Sequence, residues 1–422
     1  MFIFYDLIFL LFSIVYLPIY FFKRKFHPGF CLRLGILSPN LELNKPIWIH
    51  AVSVGEAMAI RLLIEQLRNI YPDKKFVIST VTPTGNKIAK SIARDGDFVT
   101  YLPLDFSFIV KRVIGKIDPS VFIIAETEIW PNLISYLYKK NIPIITVNGR
   151  ISDSSFRGYL AIKFLIKNIL KKVSLFCVQT ERDAFRFKAL GVREEKIKVS
   201  GNMKFDKTDY ANIKSADYTD LKKKLRLKNE DKIFIAASTH LGEEEMILNV
   251  YKELWQEFPD LNLIIAPRHP ERSKDIAKIV SKFTFCSRFI SRLSESPACA
   301  TKSVFILDFI GQLINFYSIA DIVFVGGSLI KKGGHNILEP ASLAKPIIFG
   351  PYMFNFKDIA DLFLSNKAAI LVNNEEKIRT QIMYLLTNPS AATELGERAK
   401  KLIQQNQGAT RRNSELITKF IV

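Results

Sequence analysis

Hydrophobic positions along the chain form short apolar runs that alternate with longer segments in which apolar residues recur at helical spacing. An apolar run of roughly four to eight residues between polar turns is typical of a strand that is buried on both faces. Strands that alternate with helices in this way predict a parallel sheet covered by helices. In the first half of the chain the predicted strands are 47–52, 76–81, 99–102, 121–125, 144–147, 175–179 and 197–200.

A second series of the same kind begins at Ile233, and its predicted strands are 233–237, 263–266, 304–307, 322–325, 346–349 and 369–372. Between the two series, residues 207–231 are polar and rich in lysine, which is typical of a linker with a short basic helix. The pattern therefore predicts two doubly wound α/β domains, residues 23–206 and 232–422, that face a central ligand cleft. We leave open that the last helices pack back on the first domain.

The first 22 residues are almost wholly apolar and approach the length of about 20 residues that a helix needs to cross a bilayer. Lys23, Arg24 and Lys25 follow at once, which reverses the order found in a cleavable signal. We predict an uncleaved anchor helix at residues 1–22, with the remaining chain on the cytoplasmic side. Asp6 and Pro18 keep an interfacial helix, or a buried first helix, open as alternatives.

Composition adds a strong charge to this picture. The 422 residues include 60 Lys and Arg against 41 Asp and Glu, which gives a formal net charge of +19. Such a field attracts polyanions, among them nucleic acids, anionic lipid headgroups and phosphorylated substrates. Hydrophobic residues at 48% and charged residues at 24% argue against disorder. The four cysteines and five histidines are scattered, so the sequence predicts a reducing compartment and no metal site.

The stretch IWIHAVSVGE, residues 47–56, joins a predicted strand to a tight loop and a helix start. Glu56 lies in the first turn of that helix, at the sheet edge where open α/β folds bind ligands. The helix dipole favours its ionised form, and the small neighbours Ser53 and Gly55 allow a close approach to the backbone. Glu56 is therefore a candidate general base, with a helix-start charge as an equally weighted alternative.

Glu126 and Glu128 directly follow the predicted strand 121–125, which assigns Glu126 to the same edge as Glu56. One carboxylate can raise the pKa of its neighbour towards a value useful for proton transfer. We also expect at least one of Glu126 and Glu128 to cap the helix that starts near Trp130. Lys204, at the end of the first series, can hold an anionic group.

A long predicted helix after residue 155 carries Lys163, Lys167 and Lys171 at four-residue spacing between apolar side chains. A basic stripe on a hydrophobic helix is typical of a membrane surface, and equally of the solvated face of a helix that covers a sheet.

In the second half, Arg268 directly follows a predicted strand and can bind phosphate or carboxylate in bidentate fashion. Gly333 and Gly334 precede a helix start, where free backbone N–H groups bind anions. Glu339, one turn into that helix, is placed to accept hydrogen bonds from both hydroxyls of a ribose. Together with Asn336, these residues predict a nucleotide-binding helix start.

The chain resembles one known family in seven motifs, which occur in the same order and span nearly its whole length. They are HAVSVGE (50–56), TPTG (82–85), ETEIWPNLI (126–134), NGRIS (148–152), GNMKFD (201–206), PRHPER (267–272) and GGHNILEPA (333–341). The family is that of the Kdo transferases of Gram-negative bacteria. These enzymes move 3-deoxy-D-manno-octulosonic acid (Kdo) from its CMP-activated form to the lipid A precursor.

The resemblance implies that Glu56 accepts the proton of the acceptor hydroxyl and that Glu126 and Lys204 stabilise the transition state. It implies an inverting, metal-independent glycosyltransferase of GT-B architecture with no cofactor, CMP-Kdo being the donor substrate. The positions that it assigns to CMP binding are Pro267, Arg268, Ile310, Gly311, Gln312, Asn336, Ile337, Leu338 and Glu339. Gln312 departs from the acidic residue that is usual in the family, which affects one nucleotide contact.

The same resemblance implies a phosphorylated lipid A precursor (lipid IVA) as acceptor, an anionic membrane surface as partner and no nucleic acid. It assigns the enzyme to lipopolysaccharide inner-core biosynthesis, on the cytoplasmic side of the inner membrane. Two alternatives stay open. One is another GT-B nucleotide-sugar enzyme, such as a UDP-sugar transferase or epimerase. The other is a nucleic-acid-binding protein, which the net charge alone suggests and no sequence motif supports.

Overall fold

The computed structural model describes residues 5–7, 9–11, 14, 29–208, 221–292 and 302–421. The chain forms two compact units, the first made of Met1–Lys207 with Asn406–Val422 and the second of Thr208–Gln405. Of the predicted linker, residues 209–220 lie outside the described residues. Each unit contains one seven-stranded sheet, and all neighbouring strands in both sheets are parallel.

The sheet of the first unit has the strand order β3-β2-β1-β4-β5-β6-β7. Its strands are β1 (Ile47–His50), β2 (Phe76–Thr80), β3 (Phe98–Tyr101), β4 (Val121–Ala125), β5 (Ile144–Gly149), β6 (Leu175–Val178) and β7 (Ile197–Val199). Helix α1 (Phe30–Arg33) precedes β1. The helices between the strands are α2 (Val54–Ile70), α3 (Pro83–Ile92), α4 (Ser107–Ile117), α5 (Pro131–Lys139), α6 (Asp153–Ala161), α7 (Lys163–Leu170) and α8 (Glu181–Ala189).

Helices cover both faces of this sheet, so the strands carry apolar side chains on both sides. In β1, Ile47 and Ile49 pack into one hydrophobic core and Trp48 into the other. All three side chains are fully buried. Burial on both faces explains why these strands are continuous apolar runs rather than alternating patterns. It also explains why each strand of the first series was predicted to within two residues at either end.

The second unit repeats this plan with the strand order β10-β11-β9-β8-β12-β13-β14. Its strands are β8 (Lys232–Thr239), β9 (Leu261–Pro267), β10 (Cys286–Phe289), β11 (Ser303–Ile306), β12 (Ile322–Val325), β13 (Ile347–Phe349) and β14 (Ile370–Leu371). Its helices are α9 (Glu243–Glu257), α10 (Ser273–Lys282), α11 (Leu313–Ile319), α12 (Leu338–Ser342), α13 (Lys357–Ser365), α14 (Glu375–Thr387) and α15 (Pro389–Asn406). A last helix, α16 (Ala409–Thr418), belongs to the first unit.

One strand and one helix differ from the prediction. Strand β10 was missed because it lies at the edge of its sheet and has the mostly polar sequence CSRF. The single long helix predicted after residue 155 is two helices, α6 and α7, which are separated at Ile162. Cys31 and Cys177 are free thiols, whereas Cys286 is disulfide-bonded. The disulfide differs from the reducing compartment that the scattered cysteines had predicted.

Most of the predicted anchor helix lies outside the described residues, among them residues 15–22. The basic cluster at residues 23–25 also lies outside them. Residues 5–7, 9–11 and 14 are helical. The Asp6 carboxylate accepts hydrogen bonds from the backbone N–H and the hydroxyl of Ser107 and from the side chain of Asn132, at 2.7 Å for Asn132. In the described part of the chain, no helix combines the length and the apolar character that a membrane span requires.

Helix α16 completes the core of the first unit. Ala409 and Ile417 are buried in the same hydrophobic cluster as Leu63 and Leu67 of α2. The carboxylate of Asp206 accepts the backbone N–H groups of Gly408 and Thr410, which have no partner within the helix. Asp206 therefore joins the last segment of the first series to the start of α16.

We expect Asp206→Ala to lower the free energy of unfolding of the first unit by about 1–2 kcal/mol, since two N–H groups lose their acceptor. Denaturant unfolding together with hydrogen exchange across α16 measures the effect. The matched control is Arg411→Ala, which removes an exposed ion pair with Glu415 on the same helix and should change stability little. Equal effects of the two variants would contradict the role of Asp206.

Candidate active site

Glu56 lies in the first turn of α2, at the carboxyl end of β1, as predicted. The hydroxyl of Ser53 accepts the Glu56 backbone N–H at 3.4 Å and donates to Glu56 Oε1 at 2.9 Å. Glu56 Oε2 accepts the backbone N–H of Val52 at 2.7 Å. This is a variant of the capping box in which Glu56 accepts the N–H of the residue before the N-cap Ser53, so the helix-start role that the sequence left open is present. The same bonds hold the carboxylate in one orientation.

Glu126 follows β4, the neighbour of β1 in the sheet. Its backbone has φ +59, in the left-handed region that non-glycine residues seldom adopt. Its carboxylate contacts two cations, with Oε2 3.1 Å from Arg150 Nε and Oε1 3.4 Å from Lys204 Nζ. The Glu126 side chain is 16% exposed and that of Lys204 22%, so these ion pairs are partly shielded from water. The sequence had predicted Glu126 and Lys204 as site residues, and the structure brings them into contact.

Lys204 is placed by the end of a third strand. It belongs to a short 3-10 helix, Met203–Thr208, in which the Met203 backbone N–H donates to Asn148 Oδ1 at 2.9 Å. Asn148 is the penultimate residue of β5, and Arg150 follows this strand directly. The two cations that contact Glu126 are therefore both held by the end of β5.

A concave pocket lies at the point where the chain order of the sheet reverses, between β1 and β4. Open α/β sheets bind ligands at this position. The pocket is lined by Glu56, Glu126, Thr127, Glu128, Arg150, Ser152 and Ser155. Three carboxylates thus share one pocket with a guanidinium group and hydroxyls, which suits a polar substrate with hydroxyl groups.

The pocket raises the pKa of two of its carboxyl groups. Burial raises the pKa of Glu56, and the charge of Glu126 raises it further. Burial, followed by the charge of Glu56, raises the pKa of Glu128 to about 7. A carboxylate with a raised pKa is a stronger base, and general bases work best when their pKa lies near the operating pH. The arrangement can therefore accept a proton from a bound hydroxyl.

The expectation that Glu126 or Glu128 caps the following helix was wrong. The N-terminus of α5 is capped by Asp105, whose Oδ2 accepts the Asn132 N–H at 3.0 Å and whose Oδ1 accepts the Leu133 N–H at 2.8 Å. Asp105 is 1% exposed. Because a buried side chain from another loop satisfies this helix, Glu126 and Glu128 are available to the pocket.

In the second unit, the predicted donor-binding positions lie at the carboxyl ends of three strands. Pro267 ends β9, and the exposed Arg268 follows it with its backbone N–H donated to Thr239 at 3.0 Å. Ile310, Gly311 and Gln312 follow β11, and Gln312 directly precedes α11. The side chain of Ile310 is 84% exposed.

The segment 336–339 contains two buried apolar residues and two polar residues that form hydrogen bonds. Ile337 and Leu338 are at most 1% exposed, so both residues are enclosed by the protein. Asn336 Oδ1 accepts the Leu338 N–H at 3.1 Å, and its Nδ2 donates to Glu339 Oε1 at 3.1 Å. Helix α12 starts at Leu338, so Glu339 lies at its second residue rather than one turn in.

The backbone N–H groups expected to be free before α12 are partly used. Gly334 donates to the carbonyl oxygen of Gly327 at 2.8 Å, and Asn336 caps Leu338. The loop that carries Gly327 is held by Glu243, which is fully buried and accepts the N–H groups of Gly327, Ser328 and Leu329 at 2.7–3.0 Å. Glu243 was not predicted as a functional residue, because it stands in a run of three glutamates that resembles an ordinary helix start.

Arg150 was quoted in a motif of the sequence but received no role, and Glu128 was expected only as a possible helix cap. The signal was present for Arg150, since it directly follows a strand that neighbours the strand before Glu126. Within the described part of the chain, no group of three or more His, Cys, Asp or Glu side chains is placed to hold a metal ion.

Comparison with known proteins agrees with this geometry. A family model described as 3-deoxy-D-manno-octulosonic-acid transferase matches residues 29–207, and one described as glycosyl transferases group 1 matches residues 298–402. The 3-deoxy-D-manno-octulosonic acid transferase of Haemophilus influenzae is 36% identical over 89% of this chain and 87% of its own. That of Rickettsia felis is 36% identical over 89% of this chain and 79% of its own.

Among solved structures, a UDP-N-acetylglucosamine 2-epimerase matches with a TM-score of 0.59 at 13% identity, over 90% of this chain and 97% of its own. This likeness concerns the fold alone. Two parallel-sheet α/β units with this similarity define a GT-B-like fold. The chain belongs to the Kdo transferase family and is a glycosyltransferase.

We expect the stability of the first unit to fall as the pH rises from 4.5 to about 7, because folding raises the pKa of Glu128 through this range. The folded state then binds more protons than the unfolded state, so the free energy of unfolding decreases with pH. Glu128→Gln should remove about 3 kcal/mol of this decrease in denaturant titrations at several pH values. The exposed Glu397→Gln is the control and should keep the wild-type slope. A wild-type slope in Glu128→Gln would refute the assignment.

Proposed function

We propose that this Kdo transferase moves Kdo from CMP-Kdo to the phosphorylated lipid A precursor by inverting transfer, without a metal ion or a cofactor. The observation that carries the proposal is the pocket of the first unit. There Glu56 has a raised pKa and Glu126 contacts both Arg150 and Lys204. The resemblance in seven motifs supplies the identity of donor and acceptor.

In this proposal Glu56 is the general base. The capping box uses one hydrogen bond at each carboxylate oxygen, and an ionised carboxylate accepts about four in all. The remaining acceptor sites take the proton of the acceptor sugar's hydroxyl as it attacks the donor. The bonds from Val52 and Ser53 orient the base before the substrate arrives, which favours proton transfer at a defined position.

A cluster of ion pairs stabilises charge during the reaction in this proposal. It consists of Glu126, Lys204 and Arg150. Glu126 pairs with both cations, and in this proposal the cations stabilise the negative charge that develops in the transition state. A partly shielded site makes each charge more effective than it is in water. The charge of Lys204 opposes the rise in the pKa of Glu56 and so favours the ionised form of the base.

The second unit binds the donor in this proposal. Arg268 is exposed at the end of β9 and is suited to an anionic group of CMP-Kdo. The amide of Asn336 and the carboxylate of Glu339 bind the nucleoside, and the buried Ile337 and Leu338 position these two residues. CMP leaves as an anion, so cationic side chains can take the part that a metal ion has in other transferases.

An exposed surface on α6 and α7 favours the proposal that the acceptor is a lipid and that the enzyme binds a membrane. Phe164 and Leu165 are 70% and 47% exposed, whereas Ile166 and Ile169 pack inward. Lys163 and other exposed lysines accompany the apolar side chains. Apolar residues among lysines suit acyl chains below a layer of anionic headgroups. We propose that this surface contacts the cytoplasmic leaflet of the inner membrane, where residues 1–22 serve as an additional anchor.

The transfer reaction itself tests the proposal. Purified enzyme in detergent is given CMP-Kdo and tetraacylated lipid A precursor with a chelator present, and the lipid is analysed by mass spectrometry. A gain of one or more Kdo units establishes donor, acceptor and metal independence together. The absence of product with folded enzyme would refute this donor and acceptor pair.

We expect Glu56→Gln to reduce the rate of transfer by about 10²–10⁴-fold, the usual contribution of a general base. Binding of CMP should persist, because the substitution lies in the first unit. Steady-state kinetics and calorimetric titration with CMP measure the two effects. Glu65→Gln on the same helix should retain transfer, because Glu65 pairs with Arg61 outside the pocket. Near-normal turnover in Glu56→Gln would exclude the role.

We expect the double variant Phe164→Ser and Leu165→Ser to bind vesicles with anionic lipids several-fold more weakly, since each exposed apolar side chain buried in lipid contributes on the order of 1 kcal/mol. Cosedimentation with vesicles at low and high salt measures binding. The control is Tyr384→Ser, which removes an aromatic residue with 50% exposure in the second unit. If the control and the double variant lose binding equally, α7 is not the contact surface.

A further inference from the structure

Three of the five histidines meet in the second unit, although the sequence separates them widely. His240 and His335 are stacked with their ring planes 9° apart, and their Nε2 atoms are 2.9 Å from each other. The ring of His269 lies 5.8 Å from that of His240. His240 follows β8 and His335 belongs to the loop after β12, and these two strands are neighbours where the chain order of this sheet reverses. The pair therefore occupies the position at which such sheets bind ligands.

The backbone around the pair is built to hold it. Gly327 has φ +66, and a Cβ atom there would lie 3.0 Å from the ring of His335 and 3.4 Å from that of His240. Glycine thus allows both rings to pack on the chain. The buried carboxylate of Glu243 accepts the backbone N–H groups of His240 and Gly327, at 3.0 and 2.7 Å. One carboxylate therefore fixes the loops on both sides of the pair.

The surroundings of the pair are cationic. Burial lowers the pKa of His335 to about 4, and the charge of Arg268 is the next cause. Burial also lowers the pKa of His240, together with charges that include those of His269, Lys332, Arg272 and Arg268. In the absence of an anion the pair is therefore neutral at pH 7, with one Nε2–H donated to the other Nε2.

The nearby carboxylates are engaged elsewhere. Glu244 pairs with Arg272 at 2.9 Å, and Glu271 Oε1 lies 3.5 Å from His269 Nδ1. Across the described ranges, neither His240 nor His335 forms an ion pair with a carboxylate, and no hydrogen bond is made by either Nδ1. Glu243 is the carboxylate next to the pair, and both of its oxygens are occupied by backbone N–H groups. The other charges around the rings are cationic, so the cluster attracts an anion.

We propose that His240 and His335 form a proton-sharing pair that binds the phosphate of the donor nucleotide together with Arg268, and that the pair takes up a proton when the phosphate binds. The inference rests on the proposed donor. The proton adds to Nδ1 of the ring that donates its Nε2–H, which converts this ring to an imidazolium. The shared Nε2–H bond remains, and Nδ1–H becomes a donor for a phosphate oxygen.

Thermodynamic linkage between proton binding and phosphate binding determines how the affinity changes with pH. The bound phosphate supplies a negative charge beside the pair and raises its pKa, so binding and protonation strengthen each other. Affinity is then highest at mildly acidic pH and declines as the pH rises through the pKa of the complex. Each unit by which the phosphate raises the pKa corresponds to about a tenfold gain in affinity at low pH.

Calorimetric titration of the full-length protein in detergent with cytidine 5′-methylphosphate tests the proposal. This phosphodiester does not titrate near neutral pH, so a proton taken up belongs to the protein. Titrations at about pH 7 in two buffers with different ionisation enthalpies should show uptake of about half to one proton per bound ligand. His335→Asn and His240→Asn should each abolish the uptake and weaken binding about tenfold at about pH 6.

His269→Asn is the matched control, because it removes a histidine of the same cluster that does not share the Nε2–H bond, and it should retain uptake. Binding by the wild-type protein without proton uptake would overturn the inference and leave the proposed donor in place. Uptake that persists in both His335→Asn and His240→Asn would also overturn it. A wild-type protein that does not bind the ligand between about pH 6 and pH 8 would refute the donor assignment and the inference together.

Discussion

Parallel pairing brings the carboxyl ends of all strands in a sheet to one edge, and the candidate chemistry of both units depends on this constraint. In the first sheet, Glu56 and Glu126 follow the neighbouring strands β1 and β4, and Arg150 follows β5. In the second, His240 and Arg268 follow β8 and β9. Residues that are far apart in the sequence meet because their strands pair in register, and the loops need only be short to present them.

Buried or partly buried carboxylates hold these loops in place. Asp105 satisfies the start of α5, Asp206 that of α16, and Glu243 the loops around the histidine pair. In each case a carboxylate accepts backbone N–H groups that would otherwise be buried without a partner, which is costly. Glu56 combines this structural role with a pocket position. A single glutamate can thus be oriented by the fold and still have acceptor sites for a substrate.

The strands were predictable as apolar runs because helices bury them on both faces. Strand β10 was not predicted, because an edge strand needs fewer apolar residues. Glu56, Glu126 and Lys204 were predictable as strand-end residues in known motifs, and their ion pairs were not. The geometry that joins Glu126 to Arg150 depends on a left-handed residue and on the register between β4 and β5. The histidine pair left no local signal, since 95 positions separate its members.

Helix α16 has a consequence for how the protein is made. The second unit, Thr208–Gln405, is inserted into the first, whose core includes Ala409 and Ile417. On the ribosome, the first sheet emerges early but lacks the helix that covers part of α2 until the entire second unit has been translated. During that interval apolar residues of the first unit remain open to solvent or to a chaperone. The inserted unit, by contrast, is continuous in sequence and can complete its fold as soon as it is released from the exit tunnel.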